Sequence, residues 1–179
     1  MLDQLETLNV DDSSGLSAAR LDLSHLGILG HSIGGVDAIL TCVADSRCKA
    51  ALDLDGFSNW SDDNWFLNLD FEDSTLPILF LVSNSWGQPD FEYFERSGGP
   101  AYYLTFAGIA HMNIGDFPLW LEPADIPDML VTNSDAQRSL EILNAYILAF
   151  FDQYLKGEES ALLSGPSSVY PEIQFLSRN

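Results

Sequence analysis

Leu2, Leu5 and Leu8 stand at helical spacing in an otherwise polar opening, and this pattern predicts a short amphipathic helix. "DDSSG" (Asp11 to Gly15) breaks it. The apolar run "LGILG" (26–30) ends in glycine and predicts a buried strand. From Ile33 the period changes, with Ile33, Val36, Ile39, Leu40 and Val43 on one side of a helix. "CKAALDLDG" (48–56) predicts a second strand running into a turn, and "LPILFLVS" (76–83) a third, the clearest buried strand of the chain. "FEYFERSGG" predicts a short helix with a glycine stop, and "AYYLTFAG" (101–108) a fourth strand rich in aromatic residues. A long helix is predicted over 134–158, capped by Ser134 or Asp135 and ending at Lys156-Gly157. Its apolar side carries Leu140, Ile142, Leu143, Tyr146, Ile147, Phe150 and Phe151. "SNWSDDNW" (58–65), "NSWGQPD" and "AHMNIGDFPLW" predict loops, and the residues from Ser164 an irregular tail.

Strands alternating with helices predict an α/β fold: a mostly parallel sheet of about four strands flanked by helices. The expected organisation is one domain over 1–163 and the tail over 164–179. A chain of 179 residues is long enough for one domain with a sizeable core, and 46% hydrophobic residues mark it as globular. The net charge of −20 argues against nucleic acid and against docking on anionic lipid, and serves solubility. Cys42 and Cys48 are too few for a disulfide scaffold, and buried free thiols are expected rather than a bridge. No apolar run reaches the roughly 18 residues of a membrane span. The first residues lack the basic start and apolar stretch of a signal peptide, so the chain as given carries no address.

Gly30-His31-Ser32-Ile33-Gly34 fits the pattern GxSxG between a predicted strand and a predicted helix. That pattern places a serine on a sharp strand-to-helix turn, where small neighbours are needed and the free N–H groups of the helix point toward the hydroxyl. Ser32 is therefore the candidate nucleophile, and it needs a base. His31 is its neighbour in the chain, and an elbow turns adjacent side chains apart. His25 lies at the far end of the strand, about 20 Å from the elbow at ~3.3 Å per residue. His111 follows the fourth strand, and parallel strands deliver their carboxyl ends to one edge. By elimination His111 is the candidate base. The carboxylate that would orient it comes from the loops after strands: Asp53 or Asp55, Asp90 or Glu92, with Asp55 and Asp90 evenly placed.

"RLDLSHLGILGHSIGG" (20–35), "RCKAALDLDGF" (47–57), "GIAHMNIGDFPLW" (108–120) and "AFFDQYLKGE" (149–158) together resemble the α/β-hydrolases of the platelet-activating factor acetylhydrolase and dienelactone-hydrolase-like group. The resemblance implies an acid after the strand that follows the elbow, which matches Leu54-Asp55-Gly56 without a gap from Ser32 and favours Asp55 over Asp90. It also carries the base onto His111 and the first oxyanion donor onto the backbone N–H of Ile33. Members of that group have several more strands, and a second oxyanion donor, upstream of the elbow strand. Here that strand begins at Leu26. The chain is therefore expected to be the C-terminal part of an α/β-hydrolase fold with an incomplete N-terminus, "LGILG" becoming an exposed edge.

The expected activity is hydrolysis of carboxylic esters, esterase- or lipase-like, by Ser32, His111 and Asp55. The alternative is a truncated, non-catalytic fragment or binding module of the same fold. A dienelactone hydrolase proper would carry cysteine where Ser32 stands. Phe57, Trp60, Trp65, Phe117 and Trp120 near the expected mouth suit an apolar or aromatic ester, either a small molecule or a lipid, with Phe57, Trp60 and Phe117 as the pocket candidates. No cofactor is required, and histidines at 25, 31 and 111 have no metal-ligand spacing.

Overall fold

The computed structural model describes residues 2–56, 74–84, 91–120, 132 and 134–178. Helix α1 (Leu2–Val10) leads to strand β1 (Leu26–His31), helix α2 (Ile33–Ala44) and strand β2 (Cys48–Leu54). Strand β3 (Ile78–Ser83), helix α3 (Glu92–Arg96) and strand β4 (Ala101–Phe106) follow. The chain closes with helix α4 (Ala136–Phe151) and strand β5 (Ile173–Arg178). The sheet order is β1-β2-β3-β4-β5, parallel through β4, with β5 antiparallel to β4.

Both faces of this sheet are covered, which is why its central strands read as unbroken apolar runs rather than alternating ones. Leu79 and Leu81 of β3, with Leu52, Leu54, Tyr102 and Leu104, pack against Ile142, Leu143, Tyr146 and Phe150 of α4. Ile78, Phe80 and Val82 point the other way, onto a layer with Val36 and Ile39 of α2 and Tyr93 and Phe94 of α3. The period of two along β3 thus feeds two cores, one on each side. Asp135 caps α4, its carboxylate accepting the N–H groups of Gln137 (3.0 Å) and Arg138 (3.1 Å). The chain leaves the turn after α4 at Gly157, whose φ of 74° is the left-handed conformation that ends such a helix.

Two expectations are corrected. The tail is not irregular throughout: Ile173–Arg178 forms β5, paired from Ile173 with Phe106 to Arg178 with Ala101. The pairing depends on contacts distant in the chain. Phe175 meets Tyr102 with ring centroids 6.2 Å apart, while Arg138 holds the approach to β5 by bonds to Glu172 Oε1 (2.8 Å) and the Val169 carbonyl (2.7 Å). The cysteines are not free thiols either. Cys42 of α2 is bridged to Cys48 of β2, because the tight connection between these elements brings their Cα atoms to 4.9 Å.

Strand β1 lies at one edge of the sheet, with Leu29 46% exposed and β2 its sole strand partner among the described residues. Helix α1 is tied to the α2–β2 connection by Arg47, which pairs with Asp3 (2.8 Å) and Glu6 (2.9 Å). Among the described residues no helix is long and apolar enough to cross a membrane.

The two sides of α4 differ sharply, with Phe150 fully buried and Leu148 59% exposed. Phe150→Ala is expected to lower unfolding stability by about 3–5 kcal/mol in urea titration. Leu148→Ala is expected to stay within about 0.5 kcal/mol of the parent, and an equal loss in both would contradict this packing.

Candidate active site

The parallel register aligns the carboxyl ends of four strands, His31 opposite Leu54, Leu54 opposite Leu81 and Leu81 opposite Leu104. The residues that follow these positions share one edge of the sheet. Ser32 follows β1, Asp55 follows β2, Ser83 ends β3, and His111 lies in the loop after β4.

Ser32 has φ 57° and ψ −132°, a conformation that costs a non-glycine residue about 1–3 kcal/mol. Its backbone is held on both sides, its N–H donating to the Leu54 carbonyl (2.8 Å) and its carbonyl accepting the Gly35 N–H (2.8 Å). The turn closes so tightly that a Cβ at Gly30 would collide with the Gly34 carbonyl, and one at Gly35 with the Asp53 carboxylate. Ile33 is the first residue of α2, so its N–H precedes the intrahelical ladder and lies beside Ser32. Its side chain is exposed.

Asp53 and Asp55 are both buried, with different surroundings. Asp53 accepts the Gly56 N–H (2.9 Å) and faces Gly35, inside the turn structure. Asp55 has φ 58° and turns out toward the loops. Its Oδ1 accepts the Ser83 N–H (2.7 Å), and its Oδ2 accepts the Ser83 hydroxyl (2.9 Å) and His111 Nδ1–H (2.8 Å). The Asp55 side chain is fully enclosed and that of His111 is 13% exposed.

The His111 loop is anchored from behind by Asn113, which is fully buried. Asn113 Oδ1 accepts the N–H groups of Ala110 (3.0 Å) and Thr132 (2.8 Å), and its amide donates to the Thr132 carbonyl (3.1 Å) and Ser134 hydroxyl (3.0 Å). Thr132 also donates its hydroxyl to the Gly108 carbonyl (2.9 Å). His31 reaches the loop from the other side. Its Nε2 lies 2.9 Å from the His111 carbonyl, and the two rings stack at 4.5 Å between centroids, tilted by 32°. Burial, and secondarily the neighbouring His111, push the His31 pKa below its usual value.

His25 is remote from this cluster, exposed and bonded to Asp22 (2.7 Å), whose carboxyl is held down at about 2 chiefly by the Ser24 hydroxyl. Phe117 begins a single helical turn shortly after His111 and is 36% exposed, and Trp120 beyond it is 78% exposed. Phe57, Trp60, Trp65 and Asp90 lie outside the described residues. Among the described residues no cluster of three His, Cys, Asp or Glu side chains could hold a metal ion. Sequence reasoning overlooked Ser83, Asn113 and the contact of His31 with His111. Ser83 did leave a signal, as the one hydroxyl closing an otherwise apolar strand at the functional edge.

The chain is similar to known proteins in fold and in sequence. A solved structure of a ferulic acid esterase from Streptomyces cinnamoneus superposes with a TM-score of 0.79 at 29% identity, over 98% of this chain and 53% of that one. A protein of Arthroderma benhamiae named probable 1-alkyl-2-acetylglycerophosphocholine esterase is 30% identical over 173 residues, 86% of this chain and 43% of its own. The chain thus spans about half the length of the relatives it matches. Residues 14–162 match the family described as platelet-activating factor acetylhydrolase, isoform II. By that match, which takes in the elbow, both buried aspartates, the His111 loop and α4, the chain is a member of this family of α/β-hydrolases.

Proposed function

We propose that the chain carries the nucleophile, base and acid of a serine esterase acting on carboxylic esters. The observation that supports this most directly is the 2.8 Å contact of His111 Nδ1 with the buried Asp55 carboxylate, on the sheet edge where Ser32 sits at its strained turn. An ionised carboxylate only accepts hydrogen bonds, so His111 carries its proton on Nδ1 and keeps the Nε2 lone pair for Ser32. In the proposed cycle Ser32 Oγ attacks the ester carbonyl as His111 takes its proton. The tetrahedral oxyanion is supported by the Ile33 N–H at the start of α2. His111 returns the proton to the departing alcohol, leaving an acyl-enzyme that water hydrolyses through the same base. Asp55 fixes the ring through its contact with Nδ1.

The substrate class is a small-molecule or lipid ester. The named activities of both relatives are ester hydrolyses, and the exposed Phe117 and Trp120 after His111 suit an apolar or aromatic group. A non-catalytic binding module is the second reading, favoured by the half-length match to both relatives and the edge position of β1. Turnover by the chain decides between them.

Ser32→Ala is expected to abolish hydrolysis of p-nitrophenyl acetate, and a fluorophosphonate probe should label the parent at Ser32 by peptide mapping. Full activity in the mutant would refute the assignment. Asp55→Asn is expected to lower kcat by about 10⁴-fold through the wrong imidazole tautomer. Asp90→Asn should leave kcat nearly unchanged, and the reverse ranking would make Asp90 the acid. Ser83→Ala removes one donor from a buried carboxylate and should cost about 1.5–3 kcal/mol in urea unfolding. A neutral result there would mean that the Ser83 hydroxyl contributes nothing to holding Asp55.

A further inference from the structure

We propose that His31 is a positioning residue for His111, its ring donating Nε2–H to the His111 main-chain carbonyl while lying against the His111 imidazole. The proposal rests on the reading of His111 as the base. GxSxG leaves the residue before the serine unspecified, and the Nε2 of His31 is engaged by the His111 carbonyl. The position of His31 at the end of β1, opposite Leu54, carries its side chain across to the loop after β4. The 2.9 Å contact has one possible polarity, because a carbonyl oxygen cannot donate.

His31 constrains His111 at two points, the main-chain carbonyl and the ring. Asp55 holds the ring at Nδ1. Asn113 holds the loop backbone, accepting the N–H of Ala110, just before the histidine, and that of Thr132. His31 fixes the His111 carbonyl and covers a face of its ring, and it does so from the residue adjoining Ser32. Elbow and base are thereby joined directly, rather than only through the sheet. A misplacement of about 1 Å in such a pair can cost about 10²-fold in rate. The burial that disfavours a charge on His31 agrees with this role, since a second imidazolium against His111 would oppose the cation formed during turnover.

Two variants separate the hydrogen bond from the ring. Glutamine places an amide donor close to where Nε2 stands, whereas phenylalanine keeps a flat ring and loses the donor. The full 179-residue chain, His31→Gln and His31→Phe are compared in p-nitrophenyl acetate kinetics, thermal melting and histidine-edited ¹⁵N spectra. The expected result is a kcat lowered about 10- to 100-fold in His31→Phe with KM and melting little changed, and substantial recovery in His31→Gln. Parent-like kcat in both variants would overturn the proposal. So would an equal kcat loss in both accompanied by an equal fall in melting temperature, which is what a packing role produces. The spectra read His31 without turnover: it should appear as the neutral Nε2–H tautomer, and an Nδ1–H form would overturn the proposal even in an active enzyme. A chain that shows the Nε2–H form yet neither turns over nor labels would refute the esterase reading while supporting the His31 contact.

Discussion

A carboxylate as enclosed as that of Asp55 is tolerable only while its oxygens are occupied, and the rest of the site is arranged around that requirement. Two donors come from one residue, Ser83, by backbone and by hydroxyl, and the third is His111. These partners belong to β3 and to the loop after β4, so they reach Asp55 only if the parallel register is correct. A slip of one residue would turn Ser83 to the opposite face of the sheet and leave the carboxylate short of two donors. The same register carries Ser32 to the edge through its N–H to the Leu54 carbonyl.

Ser32 and Asp55 both hold positive φ, and each conformation costs on the order of 1–3 kcal/mol. Hydrogen bonds to a buried carboxylate contribute a similar amount each, so local bonding alone roughly offsets the strain. The margin comes from packing. Leu52, Leu79, Leu81 and Leu104 are fully buried on the α4 side, Ile39 and Phe80 on the other, and these rows hold the strand ends whatever conformation the turns demand. Strain thus stands at the edge and its compensation in the sheet, an arrangement that lets a site be precise without being locally stable.

The edges of the sheet are treated differently. Beyond β4 the sheet is closed by β5 and by the Arg138 contacts to Glu172 and Val169. At the opposite edge β1 keeps a half-exposed Leu29, although it bears the elbow. The region around β1 is secured from below instead, by the Cys42–Cys48 bridge and by the pairing of Arg47 with α1. Both fix the amino end of β2, and hence the strand on which β1 is registered.

The order of elements from α1 to α4, the serine at its turn and the position of the His111 loop at the carboxyl edge of the sheet were legible in the sequence alone. Each follows from a local signal, namely apolar period, a small-residue turn, or distance counted along a strand. Asp55 was narrowed by physics to a pair and separated from Asp90 by family resemblance; its contact with His111 is a fact of the tertiary structure. So are the bridged cysteines, the pairing of β5, and the bonding of Ser83, Asn113 and His31. These bring together atoms from distant segments, and no period or spacing reports how close two side chains come. Local pattern says which face a residue turns to and where a segment ends, while the partner waiting there is set by packing of the whole sheet.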